Sequence, residues 1–390
     1  MKDVFIIAAK RTPIGGFLGR LQAYTATELG SLVTQDLLKN LNLPIDAVDS
    51  LYIGNGLSAG LGQSPARQVG IFAGLSNATD ATTINKVCSS GLKAVSLAAQ
   101  QIQLGQENLI VTGGIESMSN VPFYSSYRKT HKLGTVESLD GLLKDGLTDA
   151  YAHCHMGNAA EIGIRHFGFT REQLDHYALA SYKKAQTATE AGKFKAEIVA
   201  IASRDKSKPN AIETDEDIYK IIPEKMPHLR PIFEEEGLLT AANSSNLNDG
   251  AAILLLASAQ AVETHKLKPL AKIIAYADAA QDPLWFTTAP ALAIPKALER
   301  ANLTLDAIDL FEINEAYASV PLSMRNLLGI PEDRMNIYGG AVALGHPIGA
   351  SGARILVTLT HALHQENKKY GLAAICNGGG GATALVIEKV

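Results

Sequence analysis

The chain has 390 residues, of which 46% are hydrophobic and 19% charged, and its formal net charge is −4. This length and composition predict an α/β protein with two or three domains' worth of core. The small negative charge, without a long basic run, excludes nucleic acid as the main ligand. Three cysteines are too few for a disulfide scaffold and indicate reduced thiols, so we expect a cytoplasmic protein.

Two features argue against a membrane partner. The apolar stretch near the N-terminus, residues 4–9, is short and is followed by a basic pair, unlike a signal peptide. The longest apolar run, residues 251–257, is too short to span a bilayer. We therefore expect no membrane association.

Predicted strands and helices alternate at both ends of the chain. Up to residue 118 we predict strands at 4–9, 50–55, 81–87 and 108–113 and helices at 27–41, 65–73 and 91–104. From residue 272 we predict strands at 272–277, 308–313, 335–338, 372–376 and 383–388 and helices at 291–301, 321–328 and 352–364. This alternation predicts βαβ units and mostly parallel sheets.

The two series align with each other, which indicates an internal duplication. Residues 91–95 correspond to residues 352–356, and each segment opens a helix after a loop. Residues 248–254 likewise match residues 380–386. We therefore predict two α/β halves built on one plan.

The duplication also locates an insertion. A short glycine turn at 377–381 joins the last two strands of the second half. The equivalent connection in the first half runs from about residue 115 to about residue 247. A structureless loop of that length is implausible in a compact protein. Within it we predict helices at 151–166 and 170–191, a strand at 197–201 and an irregular charged stretch at 204–239. The predicted division is 1–118 plus 248–268 for the N-terminal half, 119–247 for the inserted subdomain and 269–390 for the C-terminal half.

We expect the insertion to bind substrate, because α/β folds usually build ligand sites at the carboxyl edge of the sheet. The alternative is that it serves only oligomer contacts.

Cys88 stands between a predicted strand and a predicted helix. The next residues, Ser89 and Ser90, are of a type that caps helix N-termini, so the thiol would face unpaired N–H groups and the positive end of the helix dipole. Both would favour the thiolate, which is the nucleophilic form. The alternative is that Cys88 is a small buried apolar residue, as most free cysteines are.

Two further loops carry chemistry. His346 lies between Gly345 and Pro347 in the loop that duplicates the position of Cys88, where an imidazole can take a proton from a thiol. Cys376 precedes four glycines, whose exposed backbone N–H groups can form an oxyanion hole. These residues make a poor zinc set, and neither a Walker nor a suitable GxGxxG pattern occurs, so we predict no metal and no bound cofactor.

Five motifs, in order along the chain, resemble those of the thiolase family. They are NKVCSSG at 85–91, GGIESMS at 113–119, NEAYA at 314–318, GHPIG at 345–349 and CNGGG at 376–380. The resemblance covers essentially the whole chain and is closest to the acetyl-CoA acetyltransferases of that family. It implies the α/β thiolase fold: two duplicated halves packed as a five-layer αβαβα core with an inserted α+β loop subdomain.

The resemblance also implies a mechanism, the reversible ping-pong condensation of two acetyl-CoA to acetoacetyl-CoA and CoA. Cys88 would carry the acetyl group, His346 would activate it, and Cys376 would handle the methyl proton as acid and base. Asn314 would hold a water that stabilises the enolate oxygen together with His346. The backbone N–H groups of Cys88 and Gly378 would form the oxyanion hole.

Contacts to coenzyme A carry over in the same way. The implied substrate-binding residues are Leu147, His155, Met156, Phe233, Ala241, Ser245, Phe286, Ala316 and Tyr317. Lysines of the charged stretch, Lys206, Lys208, Lys220 and Lys225, are candidates for the CoA phosphates. The implied partners are acetyl-CoA, acetoacetyl-CoA, CoA and further copies of the chain, as a tetramer (dimer of dimers) with contacts at 119–133.

Two positions depart from the pattern of many relatives. Tyr317 stands where many carry phenylalanine, and Phe286 where many bacterial biosynthetic relatives carry methionine. Phe286 resembles the mitochondrial acetoacetyl-CoA type, whose activity responds to potassium, so potassium activation is a further hypothesis.

Two alternatives stay open. A broad-range 3-ketoacyl-CoA thiolase of fatty-acid β-oxidation would use the same catalytic residues. A non-catalytic acyl-CoA or lipid carrier on the same scaffold would be expected to have lost them.

Overall fold

The computed structural model describes residues 2–39, 41, 43–44, 46–125 and 134–390. The elements up to residue 117 are β1 (Val4–Arg11), β2 (Gly15–Gly16), α1 (Ala26–Lys39), β3 (Ser50–Asn55), α2 (Pro65–Phe72), β4 (Asp80–Ile84), α3 (Ser90–Leu104) and β5 (Leu109–Ser117). The connection that follows contains β6 (Phe123–Tyr124), β7 (Leu139–Asp140), a π-helical segment (Leu142–Leu147), α4 (Met156–Phe167) and α5 (Arg171–Glu190).

The remaining elements complete both halves. They are β8 (Asn248–Ser258), α6 (Ala259–Thr264), β9 (Ala271–Ala280), α7 (Pro290–Ala301), β10 (Leu310–Ile313), α8 (Ser319–Leu328), α9 (Ala341–Leu344), α10 (Ile348–Gln365), β11 (Tyr370–Asn377) and β12 (Gly381–Lys389). Short 3-10 turns occupy Met118–Asn120, Pro223–His228, Pro283–Thr288, Leu305–Ala307 and Glu332–Arg334.

The strand order repeats the internal duplication. In the first half the order is β4-β3-β5-β8-β1, and in the second it is β10-β11-β12-β9. In each half one strand, β8 or β12, runs against the others, so the sheets are mixed where we expected a mostly parallel arrangement. The two half-sheets join where β1 pairs with β9 at Phe5 and Ile6. In the second half, β12 is reversed because β11 and β12 form an antiparallel hairpin.

The predicted five-layer arrangement is confirmed. Helices α3 and α10 lie in the central layer and share an apolar core with both half-sheets. Helices α1 and α2 cover the outer face of the first half-sheet, and α7 and α8 cover that of the second. Because the central helices are covered on both sides, nearly every residue of α10 is buried.

Glycines let the two central helices cross at backbone contact. A Cβ at Gly91 would lie 2.8 Å from the Ala353 nitrogen, and one at Gly352 would lie 2.6 Å from the Leu92 nitrogen. No larger residue fits either position without moving the backbone. This crossing brings the N-termini of α3 and α10, and the loops before them, to the same place.

Three predicted elements differ from the structure. Only Met335 of the predicted strand 335–338 pairs, in a bridge to Phe311. The reason is Asn336, whose φ of 47° does not fit a strand. Its side chain also bonds to the backbone N–H and carbonyl of Ile313, the groups to which a neighbouring strand would bond. The predicted strand 197–201 is likewise reduced to isolated bridges at Ile198 and Ile201.

The predicted helix 151–166 begins only at Met156. Asp149 accepts hydrogen bonds from the backbone N–H groups of Tyr151 and Ala152, and His153 has φ 55°. This side-chain turn competes with the helix until His155 caps it.

The connection between β5 and β8 is held to the first half by buried charges. Arg11 at the end of β1 donates from Nη1 and Nη2 to both carboxylate oxygens of Asp215, at 2.6 and 3.0 Å, and from Nε to Glu197 at 2.5 Å. All three residues are buried. The division into an inserted subdomain and two halves stays a prediction. No described helix is long and apolar enough to cross a membrane.

Candidate active site

Cys88 lies in the sharp turn between β4 and α3. The residue before it, Val87, has φ 49°, an unusual conformation for a β-branched side chain. The turn is held because Asn85 Oδ1 accepts from the Val87 N–H at 2.9 Å and Ser90 Oγ donates to the Val87 carbonyl at 2.6 Å. The chain therefore presents the Cys88 thiol at a fixed point.

The serines after the thiol do not cap the helix as we expected. Neither Ser89 nor Ser90 makes a side-chain cap bond to α3. Ser89 Oγ donates instead to the Ile375 carbonyl and the Asn377 side chain, at 3.2 and 2.9 Å. Ser89 thus joins the Cys88 turn to the end of β11, which carries Cys376.

The ionisation of Cys88 also differs from our prediction. Burial raises the pKa of the thiol to about 12, and the backbone N–H groups of Gly378 and of Cys88 itself oppose this rise. The thiol faces a pocket, and protein surrounds it on the other sides. The desolvation of a thiolate outweighs the effect of these N–H groups, so the neutral thiol is the resting form.

His346 is held in one tautomer. Its Nδ1 lies 2.6 Å from Ser351 Oγ, and that hydroxyl donates its own proton to the Pro347 carbonyl at 2.9 Å. Ser351 can therefore only accept from the ring, so Nδ1 carries the proton and Nε2 carries the lone pair. Nε2 has no hydrogen-bond partner among the described residues. Burial lowers the pKa of His346 to about 4, so the imidazole is neutral.

The loop of His346 is anchored from the first half. Asn248 Oδ1 accepts from the His346 backbone N–H at 2.8 Å, and Asn248 Nδ2 donates to Asp217 at 2.9 Å. Gly345 has φ 106°, and a Cβ there would lie 2.4 Å from the Asn248 amide carbon. The glycine before His346 is therefore required by the close approach of Asn248.

Cys376 lies near the end of β11, and Asn314 directly follows the neighbouring strand β10. Both are buried, and neither side-chain atom of the Asn314 amide has a partner in the described part of the chain. Burial and the nearby Cys88 sulfur raise the pKa of Cys376. Cys376 is therefore a second neutral thiol near Cys88.

A pocket of about 380 Å³ opens onto Cys88 and His346. Of the predicted catalytic and CoA-contact residues other than the candidate lysines, all but Cys376 and Asn314 line it, and the four lysines do not. The lining residues that we predicted are Cys88, Leu147, His155, Met156, Phe233, Ala241, Ser245, Phe286, Ala316, Tyr317, His346 and Gly378. The wall is mostly apolar, as expected for a site that takes an acyl chain and its linker.

Aromatic rings shape one side of this pocket. His155 stacks on Phe233 with ring centroids 4.7 Å apart, and Tyr317 meets Phe233 and Phe286 edge to face. His155 Nδ1 accepts from the Gly157 N–H at 3.0 Å, which leaves Nε2–H as a donor. The rings thus form a continuous wall from the pocket mouth towards the thiols.

Sequence reasoning missed the roles of Ser351, Asn248 and Glu116. Glu116 is a buried carboxylate that accepts from the backbone N–H groups of Gly349 and Gly56 at 2.8 and 3.0 Å. Burial raises its pKa to about 7. Its place in the GGIESMS motif was the available signal. It ties the start of α10 to the end of β3.

Other predictions concern the surroundings. Lys220 Nζ lies 2.6 Å from Asp217 and is thus paired within the protein. The predicted contact stretch 119–133 falls largely outside the described residues, which omit 126–133. Among the residues that are described, no group of three or more His, Cys, Asp or Glu side chains could hold a metal ion.

Comparison with known proteins gives the family. The model of the thiolase N-terminal domain matches residues 4–260, and that of the thiolase C-terminal domain matches residues 267–389. Acetyl-CoA acetyltransferase 2 of Arabidopsis thaliana is 50% identical over 99% of this chain and 97% of its own. The mitochondrial acetyl-CoA acetyltransferase of Rattus norvegicus is 47% identical over 100% of this chain and 92% of its own. A cytosolic acetyl-CoA acetyltransferase of Gibberella zeae is 46% identical over 100% of this chain and 99% of its own.

Solved structures agree. The Acat5 thiolase of Ascaris suum, in complex with coenzyme A, superposes with a TM-score of 0.95 at 46% identity over 100% of both chains. The acetyl-CoA acetyltransferase of Bacillus anthracis gives a TM-score of 0.97 at 38% identity, over 100% of this chain and 99% of its own. The protein is thus an acyltransferase with a duplicated α/β fold. It belongs to the thiolase family.

Proposed function

We propose that this chain is an acetyl-CoA C-acetyltransferase, which condenses two acetyl-CoA to acetoacetyl-CoA and CoA and catalyses the reverse thiolysis. The observation that carries the proposal is that Cys88 and His346 line one largely apolar pocket and that Cys376 lies near Cys88. The names of the relatives, at 46–50% identity, and the CoA complex of the Ascaris suum thiolase support the choice of substrate.

In the first half-reaction the Cys88 sulfur attacks the thioester carbonyl of acetyl-CoA. His346 Nε2, which has a free lone pair, accepts the thiol proton. The backbone N–H groups of Gly378 and Cys88, which favour negative charge at this point, stabilise the oxyanion. The bond to the CoA sulfur then breaks, and Cys376 protonates that sulfur. Acetyl-Cys88, an imidazolium and a Cys376 thiolate remain.

In the second half-reaction the Cys376 thiolate removes a methyl proton from a second acetyl-CoA. The raised pKa of Cys376 suits this step, because a strong base is needed for a weakly acidic carbon. The His346 imidazolium, and a water held by Asn314, stabilise the enolate oxygen. The carbanion attacks acetyl-Cys88, the sulfur leaves, and it recovers its proton from His346. Acetoacetyl-CoA departs, and both thiols are neutral again.

Coenzyme A lies along the remaining lining residues in this proposal. The ring pair of His155 and Phe233 borders the pantetheine, and the His155 Nε2–H supplies a donor to an amide carbonyl. Leu147, Ala241 and Ser245 line the same path. Met156, Phe286, Ala316 and Tyr317 surround the acyl group.

Acetyl transfer from radiolabelled acetyl-CoA tests the proposal. We expect label on the wild-type protein and on Cys154→Ala, a matched control that removes the thiol outside the pocket lining. We expect no label on Cys88→Ala, and release of the wild-type label by added CoA. Equal labelling of Cys88→Ala, or none on the wild type, would reject Cys88 as the acyl carrier and favour a non-catalytic carrier.

Three further points stay predictions. Turnover of long-chain 3-oxoacyl-CoA as fast as acetoacetyl-CoA would instead identify a broad-range thiolase. Tetramer formation is tested by light scattering, and potassium activation by comparing rates in potassium and sodium chloride. A cytoplasmic location is also proposed, and the relatives include both a cytosolic and a mitochondrial protein.

A further inference from the structure

Tyr317 brings a hydroxyl into a pocket wall that is mostly apolar. Its ring meets Phe233 and Phe286, with centroids 5.9 and 6.4 Å away, and the residue is only 7% exposed. Met156 and Ile348 line the same pocket. A phenylalanine would make the same ring contacts, so packing does not explain the hydroxyl.

The hydroxyl makes no hydrogen bond within the described part of the chain. Some polar atoms in the described part of the chain are buried away from solvent and have no hydrogen-bond partner, among them Ser244 Oγ, Ser319 Oγ and the Asn314 amide. The Tyr317 hydroxyl is not one of these buried atoms. An unpartnered hydroxyl that is not sealed, on a residue that lines the pocket, is open to whatever occupies the pocket.

Tyr317 also lines the same pocket as the Cys88 thiol. Burial raises the pKa of Tyr317, and the neighbouring Cys88 and Cys376 sulfurs raise it further, because a phenolate would be repelled by either thiolate. The phenol therefore stays protonated and is a donor beside the point where the acyl group is transferred.

We propose that the hydroxyl of Tyr317 selects short acyl groups. The hydroxyl needs a hydrogen-bond partner in the pocket; an acetyl group leaves that partner in place, whereas a longer alkyl chain displaces it. This inference rests on the proposed thiolase function and concerns the acyl group carried by Cys88. The partner is a water molecule in the pocket beside a bound acetyl group.

The physical reason is the asymmetry of hydrogen bonding. A hydroxyl that bonds to water loses little when a small ligand leaves that water undisturbed. An alkyl chain that displaces the water leaves the hydroxyl buried without a partner, which is costly. A site with an obligatory polar group can therefore reject an apolar extension more strongly than an apolar pocket of equal size.

The test compares thiolysis of acetoacetyl-CoA and 3-oxohexanoyl-CoA by the wild type and Tyr317→Phe. The substitution keeps the ring and removes only the oxygen. We expect it to raise the ratio of kcat/KM for 3-oxohexanoyl-CoA over acetoacetyl-CoA by about tenfold, the size of one buried hydrogen-bond penalty. Tyr338→Phe is the matched control, because its hydroxyl bonds Glu366 outside the pocket. We expect no change of the ratio there.

A second measurement changes the substrate at the position that faces Tyr317 in the proposal. 4-Methoxyacetoacetyl-CoA has the shape of 3-oxohexanoyl-CoA, with an ether oxygen in place of one methylene. The wild type should prefer the ether, which can accept from Tyr317, and Tyr317→Phe should lose that preference.

The outcomes separate the two proposals. If the wild type cleaves acetoacetyl-CoA but Tyr317→Phe leaves the chain-length ratio unchanged, the inference on Tyr317 is wrong and the thiolase function stands. Equal rates for ether and alkyl substrates in the wild type would also overturn the inference. If the wild type cleaves neither 3-oxoacyl-CoA, both proposals fall.

Discussion

At the residue scale, one hydroxyl decides which nitrogen of His346 can act as a base. Ser351 accepts from Nδ1 because its own proton is committed to the Pro347 carbonyl. Without that acceptor the imidazole is free to take the other tautomer, in which Nε2 bears a proton and cannot accept one from Cys88. Ser351 is therefore a positioning residue, one step removed from the reaction.

We expect Ser351→Ala to lower kcat about 10- to 100-fold with little change in KM, which is the range for impaired proton transfer by a general base. Steady-state thiolysis of acetoacetyl-CoA measures it. Ser323→Ala is a matched control, because Ser323 is also buried and also donates to the carbonyl four residues earlier, and it makes no hydrogen bond to a histidine in the described part of the chain. A comparable loss in Ser323→Ala would show that the effect comes from the helix and not from the tautomer.

The two shifted ionisations predict an unusual pH dependence. The pKa of His346 is lowered to about 4 and that of Cys88 is raised to about 12, so neither group titrates between pH 6 and 9. Alkylation of Cys88 by iodoacetamide, in a Cys154→Ser background, should show no inflection in that range. An inflection near pH 6.5–8.5 would indicate that the thiolate of Cys88 is accessible near neutrality, as the sequence alone predicts.

At the element scale, the sequence predicts the plan of the molecule well. The alternation of strands and helices and the alignment of residues 91–95 with 352–356 predict two halves with one topology, and the strand orders agree. Short elements are less predictable, because side chains compete with the backbone. Asn336 replaces a strand by pairing with Ile313, and Asp149 delays α4.

In the candidate site, too, some features can be predicted from the sequence and others cannot. Motifs bring most pocket-lining residues to attention, since nucleophile, base and glycine loops have local signatures. The ionisation state of Cys88 has no local signature, because it depends on burial by other elements. The anchors Asn248 and Glu116 act over long sequence distances, and only the packed structure reveals their partners.

The crossing of α3 and α10 gives a prediction at this scale. A Cβ at Gly352 would lie 2.6 Å from the Leu92 nitrogen, a contact that backbone atoms cannot relieve. We expect Gly352→Ala to lower the free energy of unfolding by about 1–3 kcal/mol, measured by urea denaturation. Gly163→Ala in α4 is the control: its Cβ would meet only the Thr287 hydroxyl at 3.1 Å, and alanine favours the helix. Equal effects would mean that helix propensity, not the crossing, controls the result.

At the scale of the whole molecule, the segment around Asp215 links three parts of the chain. Asp215 pairs with Arg11 on β1, and two residues later Asp217 accepts from Asn248. Asn248 in turn holds the backbone of His346, which belongs to the second half. The attachment of the long β5–β8 connection is therefore coupled to the position of the candidate base.

Replacing Arg11 tests this coupling. Arg11→Met would leave Asp215 and Glu197 buried without their cation, so we expect the free energy of unfolding to fall by about 3–5 kcal/mol. We also expect a lower kcat, because the Asp217–Asn248 anchor moves with Asp215.

Arg165→Met is the matched control: it removes an exposed arginine–carboxylate pair with Glu234, for which a change below about 1 kcal/mol is expected. Urea denaturation gives the free energy of unfolding. Thiolysis rates give kcat and are measured under conditions in which both variants are folded. A folded Arg11→Met protein with wild-type kcat would show that the connection attaches independently of His346, because loss of stability alone leaves the rate per folded molecule unchanged.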